Sequence, residues 1–118
     1  MRYGSVARKT FKIRLGLYNK GLIEDHHVIP IQYAKHPTVQ KFEYDIHASS
    51  NIVILPTRHG KCVLRLREER LIHSGKHHAY NAYVGDMLDV VDTQNDLEYF
   101  VDFLKVSCRS RPQDIPWK

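Results

Sequence analysis

Asp25-His26-His27-Val28-Ile29-Pro30 is the stretch on which the reading of this chain turns. Two adjacent imidazoles run into a short apolar segment closed by proline, which places titratable groups near the end of a strand. A second pair stands downstream in His73-Ser74-Gly75-Lys76-His77, where a spacing of four predicts one shared face of a helix. Two such pairs make a metal site the leading expectation.

Working outward, Leu22 to Ile29 reads as one strand. Asn51 leads into Ile52-Val53-Ile54-Leu55-Pro56, which reads as a second, buried one by its β-branched content. The connection between them is about twenty residues long, and loops of that length are usually functional. Within it His36-Pro37 marks the start of a short helix through Thr38 to Tyr44. After the second strand, Thr57 to Arg70 is a basic insert, with a further strand expected over Cys62 to Leu66. The stripe Tyr80, Val84, Met87, Leu88 and Val91 predicts a helix that His73 and His77 extend backward. Asn95 or Asp96 is expected to cap a last helix with Leu97, Phe100, Val101 and Leu104 inward, and 111–118 reads as a tail. At the other end Phe11, Ile13, Leu15 and Leu17 alternate with polar or small residues, predicting an edge strand, with Asn19-Lys20-Gly21 as a turn.

A chain of 118 residues bounds the molecule to one domain, 1–118, with a basic segment at 1–21, a core at 22–88 and a helix and tail at 95–118. The longest apolar run, Ile52 to Leu55, is far too short to cross a bilayer, and no apolar signal region follows Met1. A soluble protein without a membrane is therefore expected. Cys62 and Cys108 lack any metal-binding spacing and read as structural thiols. The net charge of +5 is unevenly spread: 1–20 holds six cations and no acid, Arg58, Lys61, Arg65, Arg67 and Arg70 form a second basic cluster, and 86–102 is acidic. Such polarity suits a phosphate backbone on one side, contacted by Arg58, Lys61, Arg65, Arg67 and Lys76.

Three imidazoles, His26, His73 and His77, suffice to hold one divalent ion with coordination positions left open, which favours catalysis over a structural role. His27, next along an extended backbone, faces the other way and is free to act as a general base. Asn51 can both donate and accept hydrogen bonds, and so can hold the long loop behind that base.

The ordered set His26-His27-Val28-Ile29-Pro30, Asn51 and His73-Ser74-Gly75-Lys76-His77-His78-Ala79-Tyr80-Asn81 resembles the HNH endonucleases of ββα-metal (His-Me finger) fold. It is most similar to their Ala-His-His branch, related to endonuclease VII and the colicin DNases. The resemblance implies an α+β fold, His27 and Asn51 as catalytic positions, and His26, His73 and His77 as ligands of zinc, magnesium or manganese. The implied partner is DNA, with RNA as a variant; an inhibitor or immunity protein and a homodimer stay open. Asp25 stands in place of the branch's small residue, Ile52 where glycine often follows the asparagine, and His78 in place of a common proline. Asp25 could thus compete with His26 for the ion. Catalytically silent metal-stabilised modules, binding nucleic acid or serving structure, share this donor set and form the alternative reading.

Overall fold

Strand β1 (Ile23–His27) pairs antiparallel with β2 (Ile52–Pro56), so that His26 lies opposite Val53 and His27 opposite Ile52. The computed structural model describes residues 3–16, 21–67, 70–73 and 75–118, with side chains from residue 9 onward. A two-stranded ribbon is marginal alone and needs a packed face. Here the face is supplied by two helices that follow it in sequence.

Helix α4 (His78–Val90) turns Tyr80, Val84 and Leu88 inward, and all three are fully buried. Burial of such side chains contributes about 1.5–3 kcal/mol each, enough to hold a helix carrying a glycine that costs about 1 kcal/mol. That glycine, Gly85, is required by packing, since a Cβ there would overlap the Tyr33 ring. Helix α5 (Gln94–Ser110) adds Leu97, Phe100, Val101, Leu104 and Cys108 to the same core. Its N-cap is Thr93, whose hydroxyl accepts the Asp96 N–H at 3.1 Å, two residues before the expected Asn95 and three before Asp96. Arg70 donates to the carbonyl of Arg109, tying the insert to the end of this helix.

The connection between the strands is ordered by α2 (Pro37–Lys41) and by 3-10 turns at Ile31–Tyr33 and Ser49–Asn51. It is pinned to α4 by hydrogen bonds, three of them to backbone carbonyls. Tyr33 donates to the Asn81 carbonyl (2.7 Å), Thr38 Oγ1 to the Leu88 carbonyl (2.7 Å), and Tyr80 donates to the Val28 carbonyl (2.6 Å). His36 caps α2 with Nδ1 and bonds Asp89 with Nε2, which accounts for both of its nitrogens structurally.

Several local expectations are corrected. Residues 3–14 form helix α1 (Tyr3–Arg14), with Lys12 and Arg14 in the last turn where cations complement the helix dipole. The alternation at Phe11, Ile13 and Leu15 reports no buried face, because all three side chains are exposed. Leu17 and the Asn19-Lys20 part of the expected turn lie outside the described residues. The expected strand over Cys62 to Leu66 is instead the end of α3 (Arg58–Val63) and the turn that stops it. Thr57 nucleates that helix by accepting the Gly60 N–H at 2.9 Å. The cysteines are both free thiols: Cys108 is buried, whereas Cys62 is exposed. Residues 111–118 are not a loose tail, since Pro112–Asp114 forms a 3-10 turn and Ile115 is buried. Among the described residues no helix is long and apolar enough to cross a membrane.

Candidate metal and catalytic centre

Strand alternation sorts the residues of β1 onto two faces. Glu24 and His26 share one, against His73; Asp25 and His27 share the other, beside Lys12 and His47 respectively. The first face is where three imidazoles meet. One nitrogen from each of His26, His73 and His77 lies within 4.8 Å of the others. Tetrahedral zinc with Zn–N bonds of about 2.05 Å places its nitrogens about 3.4 Å apart, inside that bound.

The spacing of His73 and His77 brings them together by a route other than the predicted helix. His73 precedes α4 and is fastened by its backbone N–H to the Pro56 carbonyl (2.8 Å), at the end of β2. His77 is the N-cap residue of α4, in the left-handed region at φ 40°, ψ 54°. That backbone region is costly for a residue other than glycine, and such strain concentrates at functional sites.

Each of these two rings is also oriented by a side chain. His73 Nδ1 meets a Glu24 carboxylate oxygen at 2.6 Å, and His77 Nδ1 meets Asn81 Oδ1 at 3.0 Å. Both partners are acceptors, so each Nδ1 carries the proton and donates, leaving Nε2 with its lone pair for an ion. Asn81 in turn is held by its Nδ2 on the Lys76 carbonyl (3.3 Å). Sequence reasoning left Asn81 without a role and passed over Glu24; the i, i+4 relation of His77 and Asn81 was the available signal for the former.

His26 is the buried member, 1% exposed, and its Nε2 has no hydrogen-bond partner among the described residues. Burial, followed by the neighbouring His73, His77 and His27, pushes its pKa down from 6.5 to about 3. Burial, opposed by its bond to Asn81, also lowers His77. His26 is therefore neutral at physiological pH. A buried imidazole nitrogen with no partner among the described residues, beside two more imidazoles, suits a borderline-soft divalent ion. Asp25 is not part of this cluster: its Oδ1 accepts from Lys12 Nζ at 2.8 Å on the opposite face.

His27 is half-buried, its ring 5.5 Å from that of His47. Both His26 and His27 line one concave site of about 310 Å³, together with His73, His77 and Asn81. Asn51, fully buried, makes four hydrogen bonds: Oδ1 accepts from the Ile29 N–H (2.8 Å) and from Tyr44 (2.8 Å), and Nδ2 donates to the Ile29 and Ile46 carbonyls (3.1 and 2.7 Å). It fixes the backbone two residues beyond His27 to the far end of the long loop.

Of the expected nucleic-acid contacts, Arg58, Lys61 and Arg65 line a single concavity of about 400 Å³ with Cys62, Leu66 and Ile72. Arg67 is exposed outside it, and Lys76 borders a separate hollow of about 280 Å³ beside His77 and Trp117. Trp117 was missed altogether. Its ring packs 4.8 Å from His77 and 5.2 Å from His26, centroid to centroid.

An antiparallel strand pair, a long stapled loop and a helix that together surround clustered imidazoles define a small nuclease of the ββα type. The chain belongs to the AHH family: the model of "a nuclease family of the HNH/ENDO VII superfamily with conserved AHH" matches residues 19–103. Here the motif reads Asp25-His26-His27. No curated protein and no solved structure shows a significant match to the chain.

Proposed function

We propose that this nuclease hydrolyses phosphodiester bonds of DNA, with one divalent ion held by His26, His73 and His77 and with His27 as general base. The observation that carries the reading is the buried His26 Nε2, without a hydrogen-bond partner among the described residues, in a cluster of three imidazoles. A buried polar atom left unmet costs about 1–3 kcal/mol, a cost that a ligated ion removes. Bound there, the ion supplies charge neutralisation on phosphate and leaving-group oxygens.

The chain's own residues do the rest. His27, on the other face of β1 but at the same concavity, takes the proton of the attacking water on an imidazole nitrogen, the commonest general base. Asn51 keeps the segment after His27 at a constant distance from the loop, which limits the positions that base can adopt. Glu24 and Asn81 hold the tautomers of His73 and His77. Arg58, Lys61 and Arg65 meet the phosphate backbone in one hollow, with Arg67 and Lys76 as further contacts.

Plasmid nicking with magnesium, manganese or zinc, combined with calorimetric Zn²⁺ titration, tests the division of roles. His27→Ala is expected to lose cleavage by about 100-fold or more while still binding Zn²⁺. His77→Ala is expected to lose both. Equal loss of ion from the two variants refutes the assignment, and uptake of Zn²⁺ without nicking under any metal makes the chain a silent metal-stabilised module. Cleavage of RNA in preference to duplex DNA, in direct competition, replaces the substrate.

A further inference from the structure

The C-terminal segment packs an aromatic ring against the imidazole cluster. Trp117 has its ring centroid 4.8 Å from that of His77, 5.2 Å from His26, 6.2 Å from His73 and 5.3 Å from Tyr80. Among the described aromatic rings outside that set, Trp117 alone packs against all three of these histidines and against Tyr80 as well. The matched family region stops at residue 103, so this aromatic belongs to a part of the chain the family model does not cover.

The placement is built. Ile115, two residues earlier, is buried in the core beside α5, and the Arg111–Asp114 ion pair (2.7 Å) braces the 3-10 turn that leads to it. The Trp117 carbonyl then accepts the Tyr80 N–H at 3.3 Å. Tyr80 lies in the first turn of α4, where backbone N–H groups have no partner inside the helix, so the tail satisfies one of them. Through this bond the position of Trp117 is tied to the start of the helix whose cap is His77.

One further detail separates the indole's shape from its hydrogen bonding. Trp117 Nε1 is buried with no hydrogen-bond partner among the described residues. The nitrogen therefore contributes nothing favourable in this state, and the flat ring is the part that acts, closing one side of the cluster and restricting the rotation of the imidazoles that face it.

We propose that Trp117 is a positioning residue of the metal centre, an aromatic wall supplied by the C-terminal segment that holds the His26 and His77 rings in ligating orientation. The proposal rests on the three-histidine ion site proposed above. Loss of a group that orients metal ligands typically lowers affinity by about 10- to 100-fold, and the same range is expected here.

Trp117 is the only tryptophan of the chain, so it also reports on the site it walls. Ni²⁺ added to the wild-type protein should quench its fluorescence saturably, and Zn²⁺ should compete that quenching away. Zn²⁺ affinity by calorimetry is then compared across two variants. Trp117→Leu keeps apolar bulk for folding but has no ring face, and should bind about 10- to 100-fold more weakly; Trp117→Phe keeps a flat ring without the unmet N–H and should stay within about 3-fold of wild type. Urea unfolding of the metal-free proteins is measured alongside. Unchanged affinity in Trp117→Leu overturns the proposal and leaves the ion site standing. So does an affinity loss fully matched by lost metal-free stability, which assigns Trp117 to folding alone. Wild-type protein that takes up no Zn²⁺ and shows no quenching overturns the ion site and this proposal together.

Discussion

Replacing Asn51 tests whether the long loop is held to the strand that bears His27 by one side chain. Its amide makes four hydrogen bonds, all to buried or half-buried groups, and the residue itself is 0% exposed. Asn51→Ala deprives the Ile29 N–H, the Ile29 and Ile46 carbonyls and the Tyr44 hydroxyl of their partner. Burial raises the Tyr44 pKa above its ordinary value, so that hydroxyl stays a donor in need of an acceptor. Each buried group left unmet costs about 1–3 kcal/mol, and water entering the vacated volume recovers a share. The expected net loss is about 3–5 kcal/mol, a large part of the roughly 5–15 kcal/mol that holds a domain together. Asn51→Asp should be at least as damaging at neutral pH, because a carboxylate oxygen then faces the carbonyls of Ile29 and Ile46. Urea unfolding followed by circular dichroism reads the stability, and nicking by the folded fraction reads the consequence for the base. An Asn51→Ala midpoint within about 1 kcal/mol of wild type, with cleavage intact, refutes the argument that this amide positions the loop.

Two further outcomes follow from named groups. His26 titrates near 3 when folded and near 6.5 when unfolded, so between those values the unfolded chain binds more protons. Metal-free stability attributable to it is then complete above about pH 6.5 and declines as pH falls toward 3, by up to about 1.4 kcal/mol per unit. Chelated wild type should lose about 2–3 kcal/mol more than His26→Phe between pH 7.5 and 4.5; parallel curves contradict this. At Gly60, in α3, a Cβ would overlap the Leu22 carbonyl, which also accepts the Thr57 N–H at 2.9 Å. Gly60→Ala should therefore destabilise by about 1–3 kcal/mol, although alanine in a helix ordinarily gains about 1 kcal/mol. A rise in the melting temperature of that variant shows that the close approach is relaxed at no cost.

How much of this was legible beforehand depends on how local each cause is. The two strands were, since runs of β-branched residues bounded by turn formers specify them within their own length. So was the inward stripe of α4, since Tyr80, Val84 and Leu88 recur at one helical face. The helical α1 was not, because period-two alternation carries information only where one face is buried, and Phe11, Ile13 and Leu15 meet solvent. The strand expected at Cys62 to Leu66 failed for the same reason: Val63, Leu64 and Leu66 are exposed, and Thr57 had already committed the backbone to a helix.

The candidate centre divides along the same line. Residue identities alone supplied four histidines in the right order and the charge that suits a phosphate polymer. Their convergence came from elsewhere: a hydrogen bond from His73 to Pro56, a left-handed backbone at His77, and carboxylate and amide partners in Glu24 and Asn81. Spacing in a chain describes neighbours along a helix or a strand, whereas these contacts join residues up to 49 positions apart. Trp117 is the extreme case, since nothing in Pro116-Trp117-Lys118 says which surface it will cover. Sequence by itself determined what chemistry this protein has available; tertiary packing decided which nitrogens face one another, because only the closed chain brings distant backbone groups within bonding range.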